Sequence, residues 1–393
     1  MTVAGDEGTG GQADARRVGH LVAQGEHGHH GAHGLTTARG VETVHIVGTG
    51  LIGTSIGLAL SGAGVDVTLE DPTPGTAKTA AERGAGRVSA LPPDVDMVLL
   101  AMPPSHVAGA LVAAERLTIN STLMDVASVK SEVLREAELL GADMARFVPS
   151  HPVAGRERGG PENARADLFQ GRAWALTPGV KVPADRVRSA EAVVAMCGAR
   201  AVHLTAAQHD EAMALVSHLP QLLASALAAQ LVDAPFDVAV LAGQGLRDST
   251  RIAESDPQLW ADIASANAQE IAPLVDRVRA ELDRLATALR SGDAAHAADA
   301  VRALVAQGQR GRSRVGATHG RPEVPVDVVS VLLRDTPCEL ASIFLALRDA
   351  GVNVDDIRID HAPGEAVGVL ELVVAHEAGA AAVQALTGWR ARV

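Results

Sequence analysis

The run Val44 to Val47 (VHIV) leads straight into GTGLIGTSIG at residues 48 to 57, which puts four glycines in ten positions. The first run has the β-branched character of a strand, and the stretch from Leu51 onward has the spacing of a helix. Few folds need so little side chain where a strand turns into a helix. A GxGxxG join leaves room for a pyrophosphate on the exposed N–H groups of the helix N-terminus, where the helix dipole favours an anion. Gly48 is expected to make the tight turn, Gly50 to let the phosphate approach and Gly53 to let the helix pack on the strand. Leu51 and Ile52 complete the expected cofactor loop.

The motif alone is weak evidence, so its surroundings matter. The next strand, VDVTLE at 65 to 70, ends beside Asp71, which fits the acid expected about 20 residues on. A carboxylate there bonds a ribose diol and repels a 2′-phosphate, so NAD is favoured over NADP. Asp71 is preferred to Glu70 because it stands at the strand's end; a loop acid capping the next helix is the alternative.

Short β-branched runs then alternate with Ala-rich helical stretches: VDMVLLAMP (95 to 103), STLMDV (121 to 126) and ARFVPSHP (145 to 152), with AWALTP (173 to 178) as a further candidate strand. This alternation predicts an α/β fold, a Rossmann-type doubly wound parallel sheet over residues 41–180. Residues 181–310 read as an all-helical domain, and 311–325 has the Gly, Pro and charge content of a linker. Residues 326–393 follow the βαββαβ order of a ferredoxin-like module. Residues 1–40 lack apolar periodicity and are expected to form a disordered tail; its EHGHHGAHG tract (26 to 34) could instead hold a metal.

With 34 Lys and Arg against 47 Asp and Glu, the formal net charge is −13, which argues against nucleic acid or an anionic membrane as partner. No apolar run is read as approaching the roughly 20 residues of a membrane span, and no secretory signal is read at the N-terminus, so a cytoplasmic protein is expected. Cys197 and Cys338 are far apart and form no CxxC, so no disulfide framework or zinc site is indicated.

A nicotinamide cofactor implies hydride transfer beyond the carboxyl ends of the strands. AMPPSH (101 to 106, with Met102 and Pro103), DVASVK (125 to 130, with Ser128) and SHPVAGRE (150 to 157) all fall there. His151, beside a proline at a strand end, reads equally as an acid/base group or as a structural cap. His209 and His218 are nine residues apart, about 180° around a helix at ~100° per residue, so a shared metal is rejected. Asp256-Pro257 reads as an N-cap and first helical position that aims Trp260 along a new helix. Arg251 reads equally as a carboxylate fork or a surface ion pair.

Together VGTGLIGTSIG, DVASVK, HPVAGRE, VSHLPQ and TRIAESDPQLWADI, in this order, resemble the prephenate and arogenate dehydrogenase family over residues 43 to about 310. The C-terminal module is similar to an ACT domain, a regulatory unit that often binds amino acids. The resemblance implies an NAD-dependent oxidative decarboxylation of prephenate to 4-hydroxyphenylpyruvate, or of arogenate to tyrosine. It implies that His151 is the catalytic histidine, hydrogen-bonded to Ser128, and that Arg251 holds the substrate's ring carboxylate. Glu157 matches an acid that helps gate the site, while His209, His218 and Trp260 match residues lining the substrate pocket. Lys130 is expected to be structural. Gln221, in SHLPQ, replaces the second histidine of the SHLPH found in some prephenate-specific members, which leaves prephenate and arogenate open as preferred substrates. Cys338 replaces the usual glycine of PGEL in ACT domains, which bears on whether an effector such as tyrosine binds. A homodimer through the apolar helical domain is expected. The competing readings are a β-hydroxyacid-type dehydrogenase, which usually carries a catalytic lysine, and a nonenzymatic NAD-sensing module.

Overall fold

The computed structural model describes residues 40–155, 158–234, 241–315, 325–361 and 367–392. The His-rich tract and Glu157 lie outside them. The chain opens as β1 (Thr43–Val47), α1 (Leu51–Gly62), β2 (Asp66–Glu70), α2 (Thr76–Glu82), β3 (Arg87–Val88), β4 (Met97–Leu100), α3 (Pro104–Leu117), β5 (Thr122–Asp125), α4 (Ser131–Leu139) and β6 (Phe147–Val148). The six strands form one parallel sheet in the order β3-β2-β1-β4-β5-β6. This is the doubly wound order that reverses at β1/β4 and opens a crevice at the carboxyl ends of those strands. Both faces of its central strands are covered, so Met97 to Leu100 are all buried, as a parallel sheet requires.

The stretch read as one strand over 145–152 is two. Pro149 has no N–H to donate to a ladder, and after β6 the chain leaves the first sheet. Ser150–Pro152 (β7) pairs antiparallel with β8 (Ala173–Leu176), whose Trp174 is fully buried. Helix α5 (Ala184–Met196) then crosses over to β9 (Arg200–His203), parallel to β8. Residues 181–203 therefore supply the crossover helix and the last strand of this second, three-stranded sheet and are not part of an all-helical domain. Val202 is the lone β-branched residue in β9, which hides the strand in an Ala-rich sequence.

The helical region follows. Helix α6 (Ala206–Met213), a π turn (Ala214–His218) and α7 (Leu219–Ala229) make one continuous helix of 24 residues. Its best window has mean hydropathy 1.4, long and apolar enough by that measure to cross a membrane, so the expectation that no run reaches that length is corrected. His209, Asp210, His218 and Gln221 interrupt its apolar sequence, and all four are buried. Helices α8 (Gln244–Thr250), α9 (Pro257–Ala266), α10 (Ala268–Arg290) and α11 (Ala294–Arg312) complete the region, with a 3₁₀ turn at Arg251–Ala253. Helix α11 runs through Gly308 and Gly311 into the segment read as a linker; each glycine costs ~1 kcal/mol relative to alanine, too little to stop a helix of 19 residues.

The C-terminal module is β10 (Val326–Arg334), α12 (Glu339–Asp349), β11 (Asp356–His361), β12 (Val367–Ala375) and α13 (His376–Ala385), an antiparallel sheet in the order β10-β12-β11. The final strand expected from WRARV shrinks to one bridge between Arg392 and Ser330. Thr387–Trp389 is a 3₁₀ turn followed by Arg390 in the left-handed region (φ 55°), which ends extended structure there. Cys338 also adopts a left-handed φ of 67°, a conformation that disfavours an L side chain by about 1–2 kcal/mol. The position keeps the backbone a glycine would choose.

Candidate active site

The glycine turn has the geometry its sequence predicts. Gly48 has φ 96°, and a Cβ there would stand 2.1 Å from the Ala101 carbonyl oxygen. A Cβ on Gly53 would meet the Gly48 carbonyl at 1.9 Å, whereas one on Gly50 would enter open space. Gly50 is the N-cap of α1 and offers no side-chain cap, so the first N–H groups of the helix stay open. Asp71 lies against this loop, where its Oδ2 accepts from the Thr49 N–H (2.6 Å) and hydroxyl (3.0 Å) and its Oδ1 from the Thr73 N–H (2.8 Å). These features form a cradle that fits the pyrophosphate of a dinucleotide.

A cleft of about 780 Å³ opens beside the cradle. Its sheet side carries Gly50 to Gly53, Met102 and Pro103 before α3, Ser128 and His151. Its helical side carries His218, Gln221, Arg251 and Trp260. Arg251 sits in the 3₁₀ turn before α9, and Asp256 caps that helix as its sequence predicts, accepting from the N–H groups of Gln258 (2.8 Å) and Leu259 (3.2 Å). Gly48, Asp71 and His209 lie outside the lining.

His151 stands in β7, and its Nδ1 is 2.9 Å from Nε2 of His209. The hydrogen bond expected from Ser128 is absent among the described residues. Ser128 lines the cleft, while Nδ1 of His151 turns toward α6. His209 is fully buried behind His151 and does not line the pocket as the resemblance implied. Its Nδ1 lies 2.8 Å from Asp210 Oδ1. Asp210 in turn accepts the Lys130 N–H (2.9 Å) and the Ser131 N–H (2.7 Å), capping α4 from α6 and fixing where α6 meets α4.

A second network centres on Lys130, the residue expected to be structural; its partners were not named from the sequence. Lys130 is fully buried, and its ammonium donates to Asp125 and to the Ser150 carbonyl (2.6 Å). Asp125 also accepts from the N–H groups of Ser150 (2.9 Å) and Ala127 (3.0 Å), and Trp174 Nε1 donates to the Ser150 hydroxyl (3.0 Å). The residue next to His151 is therefore held from several sides. Burial pulls the Lys130 ammonium below its usual range, with the Asp125 charge opposing.

The uniform step per residue assumed for His209 and His218 does not hold along their helix. The π turn that ends at His218 breaks the uniform ~100° per residue, and His218 faces the same cleft as His151. Its Nδ1 is 3.1 Å from Asn267 Nδ2, which also donates to the Asp210 carbonyl (2.9 Å). The amide nitrogen can only donate, so His218 Nδ1 accepts and Nε2 carries the proton. Its ring meets Trp260 edge-on at 6.0 Å.

Burial pushes the His218 imidazole down to about 4. Burial, with His209, Lys130 and His218 adding, also holds His151 well below the usual histidine range. Unfolding returns both rings to water, where they titrate near 6.5. Below that pH the unfolded chain binds protons that the folded one refuses. The stability these neutral rings contribute is therefore present above about pH 6.5 and falls as pH drops toward about 4 for His218, where the folded ring protonates too. Chemical denaturation at stepped pH checks this; a midpoint unchanged between about pH 7 and about pH 5 would contradict it.

Comparison with known proteins places this geometry. The model of the prephenate dehydrogenase nucleotide-binding domain matches residues 56–203, and that of the prephenate dehydrogenase dimerization domain matches 205–304. The chain belongs to the prephenate dehydrogenase family. The join between the two matches falls directly after β9. Among relatives, the "Probable prephenate dehydrogenase NovF" of Streptomyces niveus is 37% identical over 330 residues, covering 82% of this chain and 91% of that protein. The cyclohexadienyl dehydrogenase of Zymomonas mobilis is 31% identical over 264 residues, covering 64% and 89%. Among solved structures, the A. aeolicus prephenate dehydrogenase in complex with hydroxyphenyl propionate and NAD+ is 27% identical at TM-score 0.61, covering 70% of this chain and 98% of that one.

Proposed function

We propose that the chain is a prephenate dehydrogenase that converts prephenate to 4-hydroxyphenylpyruvate by NAD-dependent oxidative decarboxylation. The observation that carries this is the meeting of the open glycine cradle, His151 and Arg251 in one cleft. NAD, when bound, accepts the hydride that leaves C4 of the substrate. Nε2 of His151 takes the C4 hydroxyl proton in the same step. The ring carboxylate then leaves as carbon dioxide, and its bonding electrons close the aromatic ring as a phenolate, which recovers a proton. Aromatisation supplies most of the driving force, so the protein has mainly to hold, orient and deprotonate.

Arg251 anchors a substrate carboxylate, His218 offers its Nε2–H, and Trp260 and Gln221 shape the wall. Ser128 lines the floor between cofactor and substrate. Asp71 beside the cradle supports NAD over NADP, since a second anion there would repel a 2′-phosphate. Gln221, a neutral amide, is the feature that favours arogenate as a second substrate. Exposed Leu215, Val216, Leu223 and Leu227 on the helix that carries His218 support a homodimer through the helical region. The antiparallel C-terminal sheet with its two helices supports an ACT-type effector module for an amino acid such as tyrosine.

NADH formation with prephenate, with arogenate and with neither tests the assignment, and added tyrosine tests regulation. Absence of NADH with either substrate would overturn the reading. A charge-assisted hydrogen bond contributes about 1.5–3 kcal/mol, so Arg251→Ala raises KM for prephenate about 10- to 100-fold. Arg251→Lys recovers only part of it, because an ammonium cannot reproduce the bidentate fork. A fall in kcat alone would contradict the anchoring role.

A further inference from the structure

We propose that His209 is a positioning residue that fixes which nitrogen of His151 carries the proton, leaving Nε2 as the bare base. This deepens the prephenate dehydrogenase reading and rests on it.

The argument starts at the carboxylate and runs outward. Asp210 accepts three hydrogen bonds, from the backbone of Lys130 and Ser131 and from His209 Nδ1. Its burial alone would raise its pKa, but the bonds from His209 and Ser131 hold it below the usual carboxylate range. An ionised carboxylate only accepts, so His209 Nδ1 carries hydrogen. A ring with one N–H then presents Nε2 as an acceptor. The partner 2.9 Å away, His151 Nδ1, must donate into it. That leaves His151 Nε2 unprotonated.

The opposite polarity would set two lone pairs face to face or place a doubly protonated ring at a site without solvent. His209 is 0% exposed, so water cannot stand in for it. Its place is set from two directions. The capping box of Thr205 and Gln208 fixes the first turn of α6, which ends one residue before it, and Asp210, one residue after it, is pinned to α4. When His151 takes the substrate proton, the new positive charge is shared along the same line toward Asp210. The arrangement works as a His–His–Asp relay with the logic of a catalytic triad, built on residues 58 positions apart.

The test is a pair of variants in the full-length enzyme. His209→Phe keeps a ring but removes the acceptor. His209→Gln places an amide oxygen near the position of Nε2. Loss of an orienting partner typically costs about 10- to 100-fold, so His209→Phe lowers kcat by about that factor with KM within about twofold, and His209→Gln regains most of the loss. Nitrogen-15 NMR of His151 shows the Nδ1–H form in the wild type and a mixture in His209→Phe. If His151→Asn damages turnover but His209→Phe does not, or if Gln is as poor as Phe, the relay is wrong while the function stands. If His151→Asn itself leaves turnover intact, the function reading fails first. Should His209→Phe not fold, the wild-type spectrum decides: an Nε2–H form of His151 overturns the proposal.

Discussion

His151→Asn lowers kcat for prephenate by about 10²–10⁴-fold, the contribution of a positioned general base, and leaves KM within a few-fold. Asparagine keeps a polar side chain at the cleft wall but cannot take the hydroxyl proton. Binding rests on Arg251 and the helical side of the cleft, so KM has little reason to change. The wild-type pH profile carries a second signature. Burial, the largest cause, with His209, Lys130 and His218 adding and Asp210 opposing, holds the imidazole well below 6.5. The base therefore stays unprotonated through neutrality. The acid limb of kcat lies below about pH 6.5, and it disappears in the asparagine variant. Unchanged turnover in the variant would remove His151 from its role.

Lys130→Met destabilises the fold by about 3–5 kcal/mol, the usual consequence of removing one partner of a buried ion pair. Methionine nearly preserves the volume, so the loss reports charge and hydrogen bonding more than a cavity. Asp125 would keep the N–H groups of Ser150 and Ala127, which places the effect toward the lower end of that range. The Ser150 carbonyl would lose its donor at a fully buried site. Since Ser150 precedes His151, kcat falls as well. Urea denaturation measures the change; a loss below about 1 kcal/mol would show the pair to be no better than a hydrophobic replacement.

What could be read from the sequence was local. The glycine loop was legible because Gly48 and Gly53 answer to backbone clashes within a few residues or across one strand pair, and no side chain escapes such clashes. Asp71 was legible for a similar reason, as the end of the strand beside that loop. The βαββα order of the C-terminal module followed from hydrophobic period and turn residues, though its last strand did not survive the left-handed turn at Arg390. The second sheet was hidden because its identity lies in pairing. Pro149 marks the break, but nothing local says that β7 joins β8 or that an Ala-rich segment closes with β9.

The site divides in the same way. His151, Ser128, His218, Gln221, Arg251 and Trp260 were named from motifs, and the fold brings them to one cleft. The partner of His151 was misread. Ser128 is near it in sequence motif order, but the ring's hydrogen bond is to a histidine 58 residues away. The signal available was the pair His209-Asp210 itself, an imidazole beside a carboxylate on the buried side of a helix. The π turn was a further blind spot, because an angular argument assumes a uniform helix.

A ternary structure with NAD+ and a hydroxyphenyl substrate analogue tests the central claim most directly. The account predicts the analogue's ring hydroxyl about 2.6–3.2 Å from His151 Nε2. The adjoining ring carbon should face the nicotinamide, and the carboxylate end should lie on the helical side with Arg251. An analogue bound away from His151, or a His151 ring presenting Nδ1 to the substrate, would contradict it.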